Sequence, residues 1–213
     1  MIVRDVMTWN VVTVSSDTPI MEARKIMEAH KILRMPVVDK GKLVGMVSRE
    51  RIVRAGPSPA TSLSVWEINY LLAKMTVKEI MSKEVVTITP ETTVEVAVAL
   101  AQAKNVGALP VVDGHKLVGI VTTNDFFYKI LNPMLGIGRP GIRMVVQKAA
   151  NPKGLQDVGE AMKKQGSKLV ALHQGTPVEN QDEHLLVQLD TKDVSTFTKE
   201  LTAKGYKIEI QAR

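Results

Sequence analysis

Two kinds of hydrophobic pattern alternate along this chain. Short crowded runs, Met35-Pro36-Val37-Val38-Asp39 and Lys42-Leu43-Val44-Gly45-Met46-Val47, flank a Lys40-Gly41 turn and predict a strand–turn–strand hairpin. Ahead of it, Ile20, Ala23, Ile26 and Met27 recur at helical spacing through Lys31. Pro19 suits the first helical position there, with Asp17 or Thr18 as the cap. Val11-Val12-Thr13-Val14 reads as a short strand before that helix, and a further helix begins near Arg49. The predicted order is β-α-β-β-α.

The chain then says nearly the same thing again, seventy-four positions later. Met7 matches Met81, Val11-Val12-Thr13 matches Val85-Val86-Thr87, and Ala23 matches Ala97. Pro36, Asp39, Lys42, Leu43, Val44 and Gly45 match Pro110, Asp113, Lys116, Leu117, Val118 and Gly119. Chance similarity of apolar runs would not keep register through turns as well as strands, so one supersecondary unit occurs twice, over 1–56 and 77–132. The repeat also decides an ambiguous segment. Val94-Glu95-Val96-Ala97-Val98-Ala99-Leu100 alternates like a strand, but its partner at 20–26 is helical, which predicts a helix. Such a helix is apolar around most of its circumference and is expected to be buried on more than one side, at a subunit interface or within one core.

Between the units, 57–76 reads as a linker, in which a Pro/Ser-rich loop that starts at Gly56 and runs to Ser64 is followed by an amphipathic helix, Val65–Met75. Trp66, Tyr70, Leu71 and Leu72 make that helix a docking element. A second break, over 133–141, contains Gly136-Ile137-Gly138-Arg139-Pro140-Gly141. This fits G-x-G-x-x-G literally, but it lies between a helix and a strand rather than between a strand and a helix, so it reads as a linker. Beyond it the pattern is strand (142–148), helix (154–165), strand (168–173), strand (184–190), helix (194–203) and strand (206–211). This β-α-β-β-α-β order is ferredoxin-like. The expected fold class is α+β: two β-α-β-β-α motifs forming a pseudo-twofold pair, then a ferredoxin-like domain over 142–213.

Composition narrows the chemistry. The 213 residues include no cysteine, which excludes disulfides and thiolate catalysis and suits an intracellular home. The first residues lack the apolar core of a secretory signal, and no apolar run approaches a membrane span, so the expectation is a cytoplasmic protein without a membrane partner. The net charge of +6 is spread thinly: 17 basic and 13 acidic residues over 1–140, 11 and 9 over 141–213. Without a basic tail or cluster, nucleic acid is not an expected partner. His30, His115, His173 and His184 show no metal spacing, and no nucleophile motif appears, so neither a metal site nor catalysis is expected.

One motif does carry chemistry. Thr122-x-x-Asp125 closes the second hairpin where a helix begins. By itself it reads first as a capping box, and secondarily as a site where a hydroxyl and a carboxylate meet, the carboxylate able to accept paired hydrogen bonds from a ribose diol. In the first copy Ser48 keeps the hydroxyl but Arg51 replaces the acid. A guanidinium cannot accept from a diol, though it binds phosphate well.

The two units, each of the form Val-Val-Thr-Val/Ile…Pro-Val-Val-Asp…Leu-Val-Gly-x-Val-Ser/Thr, resemble a pair of CBS motifs, a Bateman module. The resemblance implies back-to-back packing and clefts for adenosine-containing ligands such as AMP, ADP, ATP or S-adenosylmethionine. It places ribose binding on Thr122 and Asp125, and base contacts on Val85, Val86, Thr87, Ala108, Leu109 and Pro110. Arg34, Ser48 and Arg51 are candidates for phosphate contacts. The tail, with Asn151-Pro152-Lys153-Gly154-Leu155 at its first strand-to-helix turn, resembles an ACT domain, implying a ligand loop at Asn151, Gly154 and Leu155. The whole order resembles bacterial CBS–ACT acetoin-utilisation proteins of the AcuB type. The implied function is a non-catalytic, homodimeric regulator that senses an adenine nucleotide, needs no other cofactor and acts on its tail or a partner enzyme. The alternative is a purely structural dimerisation protein without a nucleotide.

Overall fold

The structure is a computed structural model that describes residues 1–56, 62, 64–175 and 183–211. It divides into two units, Met1–Phe126 and Phe127–Arg213. In the first, a 3-10 turn at Val3–Asp5 leads to α1 (Ile20–His30), β1 (Arg34–Asp39), β2 (Lys42–Ser48), α2 (Arg49–Arg54), α3 (Val65–Lys74), α4 (Val77–Ile80), α5 (Val94–Ala103), β3 (Ala108–Asp113), β4 (Lys116–Thr122) and α6 (Thr123–Asp125). The hairpins β1–β2 and β3–β4 are each antiparallel, and each carries its register shift at the same place, between Val37 and Val38 and between Val111 and Val112. The internal repeat therefore extends to irregularities of the backbone.

The expected first strands are not ladders. Val14 makes one bridge, donating to Pro36 O at 3.2 Å and accepting from Val38 N at 2.8 Å. A longer parallel ladder would need an N–H from Pro36 on the preceding side, and proline has none. On the following side Ser16 N turns instead to Asp39 Oδ1, at 2.9 Å. Ile88 repeats the arrangement with Pro110 and Val112. Pro19 also sits one position earlier than expected: it is the residue before α1, whose last turn closes on Lys31 in the left-handed region, with φ of 53°.

Residues 94–103 are helical, as the repeat indicates, with Thr93 Oγ1 accepting from Val96 N. The helix is nevertheless buried on one side only: Val94 and Ala97 are buried, while Val96 is 56% exposed. In α3, capped reciprocally by Ser64 and Glu67, Trp66 is 85% exposed and Tyr70 60%. The expected loop ahead of it lies mostly outside the described residues.

What joins the two motifs is an exchange of their leading segments. Val3 and Met7, from the start of the first motif, are buried in the second motif's core with Ile88, Ala97, Leu109, Val111 and Val121. Val77, from the start of the second, is buried in the first motif's core with Ala23, Met27, Met35, Val37 and Val47, and Ile80 and Met81 pack against it. The backbone follows: Thr8 and Ile120 exchange both hydrogen bonds (2.9 and 3.0 Å), as do Ser82 and Met46 (2.8 and 2.9 Å). Complete burial of Val3 and Val77 contributes about 1.5–3 kcal/mol each to the opposite motif's core. Two glycines make room for the crossing. A Cβ on Gly119 would lie 2.5 Å from Met7 Sδ, and one on Gly45 would lie 2.6 Å from Met81 Sδ and 2.9 Å from the Ser82 carbonyl oxygen.

In the second unit, α7 (Asn132–Met134) follows a π-helical stretch at Phe126–Leu131, and then come β5 (Ile142–Gln147), α8 (Pro152–Gln165), β6 (Lys168–Gly175), β7 (His184–Asp190), α9 (Ser195–Ala203) and β8 (Ile208–Gln211). The sheet order is β6-β7-β5-β8, antiparallel throughout. Met144, Val146, Leu185, Val187 and Leu189 pack one face against Val158 and Ala161 of α8 and Phe197 and Leu201 of α9.

Residues 135–141 are tied to the sheet rather than acting as a simple linker. Gln188, 1% exposed, donates to the carbonyls of Arg139 and Pro140 (3.1 and 3.2 Å) and accepts from Arg143, which also donates to Leu135 O. A Cβ at Gly136 would strike Gln188 Oε1, 2.4 Å away, so the glycine-rich run serves close approach to the sheet. Asp157, paired within α8 with Lys153 (2.6 Å), fastens that helix to the chain beyond α9 through Lys204 (2.7 Å) and Tyr206 (2.8 Å).

Gly119→Ala is expected to destabilise the first unit by about 1–3 kcal/mol in urea unfolding, the usual cost of overpacking. Gly45→Ala should cost more, because the Ser82 backbone cannot yield as the Met7 thioether can. In the second unit, the ammonium of Lys153, then Lys204 and the Tyr206 hydroxyl, hold the Asp157 carboxyl well below the usual carboxylate range. Its contribution is therefore complete above the ordinary aspartate value near pH 4 and is lost as pH falls further. Asp157→Asn should flatten this acid-side slope in a thermal-melting pH series.

Candidate functional site

The exchanged segments leave two clefts in the first unit, related by the seventy-four-residue offset. The larger, about 470 Å³, is walled by Thr8, Asn10, Val11 and Val12, by Lys31–Leu33 between α1 and β1, by Arg34 and Pro36 of β1, and by Ile120 and Thr122–Asp125. Its sides mix apolar surface (Val11, Val12, Ile32, Pro36, Ile120) with the hydroxyl and carboxylate of Thr122 and Asp125 and the cations Lys31 and Arg34. The smaller, about 210 Å³, is lined by Ser48 and Arg51, by Ser82, Glu84, Val85 and Val86, and by Asn105–Ala108.

In the larger cleft, Thr122 and Asp125 form the reciprocal capping pair. Asp125 Oδ2 accepts from Thr122 N at 2.8 Å and from Thr122 Oγ1 at 2.6 Å, while Asp125 N donates to Thr122 Oγ1 at 3.4 Å. The capping reading of Thr-x-x-Asp is thus realised, and the carboxylate stands in the cleft wall as well. The capping role does not exclude the other reading of the motif, because a carboxylate has acceptor capacity beyond its bonds to Thr122.

The smaller cleft keeps only half of this pair. Ser48 Oγ accepts from Arg51 N at 3.3 Å, and no acid returns to the Ser48 backbone. The Arg51 guanidinium crosses instead to the Ile80 carbonyl, 3.0 Å away, on the exchanged segment of the second motif.

The residues expected to form one site are divided between the two clefts. Val85, Val86 and Ala108, expected beside Thr122 and Asp125, line the cleft of Ser48 and Arg51. The exchange is the physical reason: Thr8 pairs with Ile120 of β4, so the chain leading through Val11 and Val12 is what lies next to Thr122. Thr87 is exposed and Leu109, 1% exposed, belongs to the core; neither they nor Pro110 line either cleft. Arg34 and Gly107 line both. Thr8, Asn10, Val11, Val12, Lys31, Ile32 and Leu33 are additions to the expected set. The signal for several lies in the repeat, which maps Val85, Val86 and Ala108 onto Val11, Val12 and Arg34.

In the second unit, the Asn151-to-Leu155 turn is accounted for by its own packing. Asn151 Oδ1 accepts from Gly154 N and Asn151 Nδ2 donates to Lys148 O, both at 2.9 Å. A Cβ on Gly154 would lie 2.2 Å from the Ala149 carbonyl oxygen, so what approaches that glycine is the chain itself. Leu155 is 47% exposed. Among the described residues no group of three or more His, Cys, Asp or Glu could hold a metal ion, and no helix is long and apolar enough to cross a membrane.

Comparison with known proteins agrees with this architecture. The chain is 34% identical over 144 residues to inosine-5'-monophosphate dehydrogenase of Korarchaeum cryptofilum (strain OPF8), a match that takes in 67% of this chain but only 27% of that enzyme. A structure described as an acetoin utilization protein (AcuB) from Vibrio cholerae superposes with a TM-score of 0.53 at 29% identity, covering 62% of this chain and 91% of that one. The CBS domain pair of protein MJ0100, solved with 5′-methylthioadenosine and S-adenosyl-L-methionine, gives 0.52 at 31%, covering 62% and 97%. The CBS domain profile itself matches residues 3–58 and 77–132. With both copies of the repeat matched, the chain belongs to the CBS domain family.

Proposed function

We propose that this protein is a non-catalytic sensor of an adenosine-containing ligand, held in the cleft of Thr122 and Asp125. The observation that carries this reading is the joining of one carboxylate and one hydroxyl to a largely apolar cleft of about 470 Å³. The Asp125 carboxylate accepts from the ribose hydroxyls. Val11, Val12, Ile32, Pro36 and Ile120 offer a slot for a flat base. The MJ0100 pair supports the ligand class, since it was solved with two adenosine derivatives.

The Ser48–Arg51 cleft is smaller and has Arg51 where the other cleft's turn has Asp125, so one nucleoside per chain is expected. A ligand seated between the exchanged segments touches both motifs at once and favours whichever arrangement of them it fits better. The tail is of the ACT type in this reading, supported by its β6-β7-β5-β8 antiparallel order with both helices on one face. It serves homodimer formation or relay to a partner enzyme; a small ligand at its Asn151 turn is disfavoured, because Asn151 and Gly154 are already engaged. A place in acetoin utilisation is supported by the likeness to the AcuB structure.

The alternative, a structural dimerisation protein without a nucleotide, draws on the exposed apolar side chains of α3 and α5, Trp66, Tyr70 and Val96. Calorimetry separates the two. AMP, ATP or S-adenosylmethionine should bind with a stoichiometry near one, and Asp125→Ala should weaken binding by about 1.5–3 kcal/mol, the range for hydrogen bonds to charged groups. Unchanged affinity in Asp125→Ala removes the site assignment, and absence of any binding favours the structural alternative.

A further inference from the structure

The two clefts differ in charge at matched positions. Asp125, at the turn of the larger, has Arg51 as its seventy-four-residue mate in the smaller. Lys31 in the larger is matched by neutral Asn105, and the two share a left-handed backbone, with φ of 53° and 50°. Asn10 in the larger is matched by Glu84 in the smaller. Arg34 borders both clefts and so does not distinguish them. The smaller cleft thus sets a cation at the helix turn and an anion on the extended segment, where the larger has an anion and a neutral amide.

Neither charge of the smaller cleft is spent on the other. Arg51 gives an N–H donor to the Ile80 carbonyl, at 3.0 Å, which holds its guanidinium to the segment that carries Glu84 and leaves further donors unused. Ser82 Oγ donates to the Glu84 carbonyl oxygen at 3.2 Å, fixing the backbone there. Among the described residues no hydrogen bond or ion pair engages the Glu84 carboxylate, and none joins it to Arg51. Opposite charges that border one cavity without meeting leave a gap that a ligand of both signs can span. Val85, Val86 and Val106 supply apolar wall beside them. The volume, about 210 Å³, lies below the range of about 300–1,000 Å³ usual for drug-sized ligands, so the cleft suits a smaller molecule.

We propose that the smaller cleft is a site for an aliphatic α-amino acid, bound as the zwitterion. The carboxylate of the ligand accepts from the unused donors of Arg51 and from the hydroxyl of Ser48, whose oxygen already accepts from Arg51 N. Its ammonium donates to the Glu84 carboxylate, and its side chain lies against Val85, Val86 and Val106. Ser48 and Arg51 belong to the first motif and the other contacts to the second, so the ligand bridges the two across their exchanged segments. The site stands apart from the adenosine reading, because none of these residues lines the Thr122–Asp125 cleft.

The test is an NMR titration of the isotope-labelled full chain with L-valine, with 3-methylbutanoate (valine without its ammonium) and with isobutylamine (valine without its carboxylate). Valine should shift the amides around Ser48, Glu84 and Asn105 and bind about 10-fold more tightly than either fragment, the size of one charge-assisted contact. Glu84→Gln, at an exposed position, should weaken valine by about 10-fold while leaving 3-methylbutanoate unchanged. Arg51→Gln should do the converse, weakening valine and leaving isobutylamine unchanged. Asp125→Ala should leave valine binding as it is. Absence of valine binding overturns the proposal, as do equal affinities for valine and its fragments. Shifts confined to the Thr122–Asp125 cleft, or unaltered valine affinity in Glu84→Gln, also overturn it. AMP binding that survives any of these failures leaves the adenosine reading in place.

Discussion

The first unit depends on two thioethers crossing over two bare α-carbons. Met7 lies on Gly119 and Met81 on Gly45, at separations no Cβ would permit. Around these crossings each motif lends its leading segment to the other, so that Val3 and Val77 are fully buried in cores they do not belong to by sequence position. Interiors are packed too closely for such contacts to be optional. The clefts, the divided wall residues and the shared arginine all follow from the crossing.

The exchange also explains the asymmetry between two clefts built from one repeated unit. Each cleft takes its polar turn from one motif and its extended segment from the other. The pair Thr122 and Asp125 meets Val11 and Val12; the pair Ser48 and Arg51 meets Val85 and Val86. Replacing the acid with Arg51 therefore does more than remove an acceptor. The guanidinium now reaches the Ile80 carbonyl and becomes a contact between the motifs. One cleft keeps a hydroxyl paired with a carboxylate, and the other has become partly a joint.

Much of this architecture is legible in the amino-acid sequence. The repeat, the hairpins, the helical state of 94–103 and the six elements of the tail can be read from periodicity, turn residues and internal comparison, because those signals are local or are copied within the chain. The odd Thr-x-x-Asp is legible too, since Arg51 departs from it at a matched position. What the sequence does not reveal is which walls face each other. Val85 and Val86 group with Thr122 by motif, whereas burial of Val3, Met7, Val77 and Met81 joins segments across motifs. No periodicity encodes that choice. Nor does the sequence say that Gly154 and Gly136 face their own chain: a glycine announces close approach without naming what approaches.

The reciprocal lending of segments has a consequence for how the unit comes into being during synthesis. The first motif's hairpin and helix emerge from the ribosome with Ala23, Met35 and Val47 unroofed until Val77 and Met81 follow. Val3 and Met7 wait longer still, because their place against Leu109 and Val121 exists only when the β3–β4 hairpin has been translated. Neither half can be finished while the other is missing. The nascent chain has no stable halfway house at the motif boundary, and the two clefts come into existence together, late, with the closing of a single core-to-core knot of contacts.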